Sequence, residues 1–220
     1  MTSPLFPLLA LDLSTPIAHA AVFTSSATYM HAAAKKEEQH SHALLPLLQN
    51  LLHETSLSWG DLSSFAIGQG PGSFTGLRIS AATLAGINAS LQRPVWGISS
   101  LGITSMQIDT DDEIWVIEDA RAGEVFRGIY QQGRAVHADD CVALTSLPSF
   151  SEGSRNYISN GNFEIVQQGW AQQPLTYERG EGMCRWIQKN AHQQNWSTLP
   201  FHVQPSYLQL SQAERQMNHG

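Results

Sequence analysis

Three observations predict an α/β fold. Short apolar runs open the chain in quick succession, longer helical patterns then alternate with further apolar runs, and a rigid glycine-rich turn joins one such run to the longest helix. Residues 8–13, 17–24 and 28–34 are rich in apolar and small residues, with breaks at Ser14-Thr15-Pro16 and Ser25-Ser26, which predicts three strands in a meander. A helix over 41–55, a strand over 63–68, a helix over 73–91, a strand over 94–98 and a short helix over 99–107 complete a βββαβα unit. The polar run Asp109-Thr110-Asp111-Asp112 interrupts the pattern, and Ile114-Trp115-Val116-Ile117 starts a second strand set that includes residues 125–130. The expected division is therefore 1–108 and 109–220, the second part reduced. Residues 131–220 are rich in Gln, Asn and Ser, with weak periodicity beyond a helix near 182–191, and no internal repeat emerges.

The turn before the longest helix, Gly68-Gln69-Gly70-Pro71-Gly72-Ser73-Phe74-Thr75-Gly76-Leu77-Arg78, concentrates glycine and proline between a strand and a helix. Such a turn is tight and leaves amides exposed, so Gly70 and Gly72 are candidates for holding a ligand. It is no Walker loop, because Leu77-Arg78 follows Gly76 where Lys-Ser/Thr is required. It is no dinucleotide fingerprint either, since Thr75 stands at the third glycine position. Ser73 fits the cap of the following helix, and the spacing of Gly72-Ser73-Phe74-Thr75-Gly76 excludes a serine-hydrolase elbow.

Both long helices are more apolar than one sheet face requires. On the first, Leu44, Leu45, Leu47, Leu48, Leu51 and Leu52 cover an arc of about 160°, wider than the ~100° stripe of an ordinary surface helix. The second has no charged residue between Arg78 and Arg93, and Ala82, Gly86 and Ala89 with Ile79 form a smooth surface that another helix could approach closely. Adjacent on one side of a sheet, the two could form half of a helical bundle with a second subunit.

Composition narrows the functional classes. A formal net charge of −7 with only 12 Lys and Arg argues against a broad phosphate-binding surface, so any service to tRNA is expected to be indirect. The nine histidines include no pair spaced by three or four, and Cys141 and Cys184 stand alone, so neither a metal site nor a disulfide framework is expected. The apolar stretch from Leu5 to Leu13 is broken by Pro7 and Asp12 and reads as a buried strand; a cytoplasmic location with no membrane association is expected.

The wording of several blocks carries a family resemblance. Gly70-Pro71-Gly72-Ser73-Phe74-Thr75-Gly76-Leu77-Arg78 resembles the signature of the TsaB (YeaZ) family, the accessory subunit in bacterial synthesis of threonylcarbamoyladenosine on tRNA. Leu9 to Thr15, His40-Ser41-His42-Ala43-Leu44-Leu45-Pro46, Pro94 to Leu101, Asp119 to Phe126 and Pro205-Ser206-Tyr207-Leu208 resemble further blocks in the same order. Departures are His42 for Glu, Leu13 for Thr and Gln209 for Arg.

The resemblance implies an actin-like ATPase (ASKHA, ribonuclease H-like) fold and a paralogue of the catalytic subunit TsaD, historically labelled glycoprotease-like. It further implies a non-catalytic subunit that pairs with TsaD, is joined by TsaE, and forms a homodimer in TsaD's absence. The surface so used would comprise His42, Leu45, Leu48, Leu52, Arg78, Ile79, Ala82, Gly86 and Ala89. Asp12 and Asp119 match positions where related ATPases bring carboxylates toward a metal–phosphate, but no permissive glycine follows Asp12. No catalytic residue, metal or firmly bound cofactor is expected, and ATP or ADP only within the complex. The alternative is a small ATPase, kinase-like or peptidase-like enzyme of the same superfold.

Overall fold

Strands β1 (Leu8–Asp12), β2 (His19–Phe23) and β3 (Tyr29–Ala33) form the expected antiparallel meander, with Ala10 opposite Ala21 and Ala21 opposite His31. This computed structural model describes residues 5–34, 40–161 and 163–209, and of His40 and Ser41 the backbone alone, so Lys35 and Lys36 lie outside the described residues. Helix α1 (His40–Glu54) leads to β4 (Ser64–Gly70), which pairs parallel to β1, and α2 (Phe74–Leu91) leads to β5 (Val95–Ser99), parallel to β4. The sheet order is β3-β2-β1-β4-β5.

Every residue of β1 and β2 is buried, because both faces of this sheet are covered. On one face α1 and α2 pack Leu44, Leu48, Leu51 and Leu84 against Leu9, Leu11 and Phe65. The Ser73 hydroxyl accepts from the Gly76 amide at 3.2 Å and starts α2, while Gln92, with φ 50°, ends it in the left-handed region.

The second part is more complete than its sequence predicts. Strands β6 (Glu113–Arg121), β7 (Glu124–Gln131) and β8 (Arg134–Ala143) form another antiparallel meander; β9 (Arg155–Ile158) runs parallel to β6, and β10 (Trp170–Gln172) parallel to β9. The order β8-β7-β6-β9-β10 repeats the connectivity of the first sheet, so the duplication missing from the sequence is present in the topology. What is reduced is the helical layer. Where α1 and α2 cover the first sheet, residues 144–154, 159–161 and 163–169 cover the second, with no helix among the described residues there beyond one short turn at Leu144–Ser146. Trp115, Phe150 and Trp170 fill the layer edge to face, with ring centroids 5.0–6.4 Å apart.

The two remaining helices tie the halves together. Helix α3 (Ser100–Ser105) follows β5 but buries Leu101 among Ile114, Val116 and Tyr130 of the second sheet. Helix α4 (Arg179–Asn190) follows β10 but packs Met183, Cys184 and Ile187 against Leu8, Ala10 and Phe23 of the first. Each half thus completes the other's core.

Candidate functional site

Between the two halves, where the carboxyl ends of β1 and β4 meet α3 and α4, lies a closed polar network. Asp12 has no exposed surface, and Arg179, the first residue of α4, is 6% exposed. Its Nε donates to Asp12 Oδ2 at 2.6 Å, Nη1 to Thr104 Oγ1 at 2.8 Å, and Nη2 to Ser14 Oγ at 2.8 Å and the Ser100 carbonyl at 3.1 Å. Thr104 passes the network across to Glu118 Oε1 on β6 at 3.2 Å, and Asn160 donates to both Glu118 oxygens.

Burial alone would push the Asp12 carboxyl up, but the Arg179 guanidinium outweighs it and, with Ser14, holds it below its ordinary value. The Glu118 carboxyl, with only neutral hydrogen-bond donors beside it and Arg179 further off, is pushed up by burial. Burial also brings neighbouring His19 down to about 4 against the opposing pull of Asp12, so this imidazole is neutral at pH 7.

A nucleotide with its metal does not fit this cleft. The Asp12 carboxylate that would face the metal is consumed by Arg179. The glycines of the turn also serve the chain itself. A Cβ on Gly68 would stand 2.0 Å from Asp12 Oδ1, one on Gly70 (φ +113°) 2.7 Å from the Ser206 carbonyl oxygen, and one on Gly72 (φ +154°) 2.5 Å from the Ser14 carbonyl oxygen. The turn is packed against the chain itself: side chains are barred at Gly70 and Gly72, the Gly70 amide donates to Ser100 Oγ at 3.2 Å, and the Ser73 amide donates to the Ser14 carbonyl at 2.7 Å.

Asp119 needs correction. Strand alternation sends Val116, Glu118 and Ala120 toward the first half, so Asp119 is exposed on the other side, where its Oδ1 accepts from the Arg121 amide at 2.7 Å. Glu118 is the carboxylate that faces the cleft. Among the described residues no three His, Cys, Asp or Glu side chains come close enough together to hold a metal ion.

The second candidate surface is the outer side of α1 and α2. Arg78, Ala82, Ala85, Gly86 and Ala89 are exposed at helical spacing along α2, and a Cβ on Gly86 would meet no atom within 4 Å. His42 and Leu45, the latter 46% exposed, extend the surface along α1. Ile79 is half-buried against the core.

Leu48 and Leu52 do not belong to this surface. They are 0% and 4% exposed, because they point down onto β1 and β2 with Leu44 and Leu51. One contact was invisible in the sequence. Arg78 lies 3.9 Å above the Phe74 ring and donates from Nε to Tyr207 Oη at 3.2 Å, so the segment Pro205 to Leu208 fixes the charged end of the α2 face.

Comparison with known proteins places these features. Residues 32–166 match the family model described as TsaD, tRNA N6-adenosine threonylcarbamoyltransferase. The chain is 30% identical to the tRNA threonylcarbamoyladenosine biosynthesis protein TsaB of Haemophilus influenzae, over 74% of this chain and 72% of that protein. The chain belongs to the TsaB (YeaZ) family. The TsaB of Buchnera aphidicola is 32% identical, over 56% of this chain and 60% of its own length. YeaZ from Pseudomonas aeruginosa superposes over 94% of this chain and all of its own with a TM-score of 0.72 at 23% identity, which shows a shared fold. The α/β architecture expected from the resemblance, two halves of like strand order, is the one observed, with a reduced helical layer over the second sheet among the described residues.

Proposed function

We propose that this chain is a non-catalytic subunit in the synthesis of threonylcarbamoyladenosine on tRNA, and that it binds the threonylcarbamoyltransferase TsaD through the exposed faces of α1 and α2. The single observation that carries this reading is the solvent side of α2. It presents Ala82, Ala85, Gly86 and Ala89 without a charge, although an ordinary solvated helix face carries Lys or Glu. Small residues let a second helix approach closely, and Arg78, held by Phe74 and Tyr207, is a pre-ordered polar contact at one end.

The relatives' name supports the pathway, and the match of residues 32–166 to the TsaD model supports pairing between like folds. In the absence of TsaD the same face pairs with a second copy, and TsaE joins the assembled complex. The sealed Asp12–Arg179 cleft argues against turnover by the chain itself, so ATP or ADP belongs to the complex rather than to this cleft. Activation then works by population shift: the subunit favours one TsaD conformation over another.

Gly86→Arg and Ala82→Arg place a long cation on the face without disturbing the core. Both are expected to abolish co-elution with TsaD on gel filtration. Co-elution at the native level would refute the interface.

A further inference from the structure

A cavity of about 360 Å³ opens on the opposite side of the molecule from α1 and α2, between the end of β5, the edge strand β8 and the second half of α4. At it, Ser99 Oγ stands 2.5 Å from Asp139 Oδ2, Tyr130 Oη 2.7 Å from Asp139 Oδ1, and the two hydroxyl oxygens 3.0 Å from each other. Trp186 and Arg134 line the same cavity.

The backbone is shaped to bring Asp139 there. The β7–β8 register slips between Arg127 and Ile129, so that β8 carries an extra residue opposite Gly128. A Cβ at Gly128 would stand 2.7 Å from Asp139 Oδ1 and 2.6 Å from the Tyr130 ring. A bulge on an edge strand combined with a glycine that clears the path is a device that re-aims one side chain.

The chemistry of the cluster selects its ligand. Ser99 and Tyr130 each have one hydroxyl proton within reach of the carboxylate, and Ser99 Oγ already accepts from the Gly102 amide at 3.1 Å, so the cluster's remaining capacity, on Tyr130 Oη and the Asp139 oxygens, is for accepting hydrogen bonds. Asp139 takes part in no ion pair among the described residues, although enclosure pushes its carboxyl up against the pull of Ser99 and Tyr130. A carboxylate partly withdrawn from water gains from a cation held directly against it.

We propose that this cavity is a binding site for a small primary-ammonium compound. The ammonium supplies up to three donors and no acceptor to Asp139 and Tyr130, and the Trp186 indole offers an aromatic wall to the rest of the molecule. Arg134 disfavours a second positive group and favours a neutral or anionic tail.

The test compares phenethylammonium with its neutral isostere 2-phenylethanol, by chemical-shift titration of the full chain followed at the Trp186 indole and the Gly128 and Gly133 amides. Phenethylammonium is expected to bind with a millimolar or tighter dissociation constant and at least about tenfold more tightly than the alcohol. Asp139→Asn is expected to weaken it about tenfold or more. Ala135→Trp, which fills the mouth of the cavity and leaves Asp139 in place, is expected to abolish binding even where Asp139→Asn disturbs the strand. Equal binding of the two probes, no shift at about 10 mM phenethylammonium, or binding indifferent to both variants would overturn the proposal.

Discussion

Replacing Arg179 by methionine removes a cation that is 6% exposed and leaves Asp12, wholly buried, as an anion without its partner. Methionine keeps much of the stem's volume, so the loss is mainly electrostatic. Breaking a buried pair by removing one member costs about 3–5 kcal/mol. Ser14, Thr104 and the Ser100 carbonyl lose a donor at the same time. Against a total stability of about 5–15 kcal/mol, the variant should fold with a much lower urea midpoint. The sign of its pH dependence is diagnostic. In the native protein the Asp12 carboxyl sits below its ordinary 3.8, so its contribution is present above that value and is lost as pH falls through the lowered one. In the variant burial acts without Arg179 and raises the folded-state value above the unfolded one. The folded state then takes up the proton more readily, and the deficit narrows as pH is lowered from 7 toward 5. Adding Asp12→Asn to Arg179→Met should recover part of the loss. Urea titrations followed by tryptophan fluorescence read all three outcomes. A loss below about 1 kcal/mol at pH 7, or a deficit that widens on acidification, would refute the reasoning.

The leucines of α1 should separate by depth. Leu48→Ala is expected to cost about 2–5 kcal/mol in the same titration, whereas Leu45→Ala, 46% exposed, should stay within about 0.5 kcal/mol; equal losses would mean that the helix is rotated. Gly86→Arg should leave the melting temperature at or above native, since its Cβ meets no neighbour and a glycine in a helix interior costs up to about 1 kcal/mol. A drop of several degrees would place that face inside the fold.

The first half was legible because its elements carry strong signals. The all-buried β1 and β2 read as apolar runs, and the Gly70-Pro71-Gly72-Ser73 turn announced both the end of a strand and a helix cap. The second half was not. Strand β8 is mostly exposed at an edge, β9 and β10 span four and three residues, and their covering layer is loop, so neither period is sustained long enough to register. Glu118 and Asp119 show how a register of one decides a role: the sequence places a carboxylate at the end of β6, but only the pairing says which of two neighbours faces the cleft. Leu48 and Leu52 fail differently. An apolar arc of about 160° on α1 does not say which part of it is core. Arg179 has no local signal at all, since its meaning lies in Asp12, 167 residues away.

The central claim is that this chain works as a partner and not as the catalyst. It is tested most directly by threonylcarbamoyladenosine formation on tRNA in a mixture of TsaC, TsaD, TsaE, ATP, threonine and bicarbonate, with the chain present, absent, or replaced by Gly86→Arg. The account predicts a rate that depends on the native chain, falls to background with Gly86→Arg, and is accompanied by no ATP hydrolysis from the chain alone. Undiminished modification without the chain would contradict it.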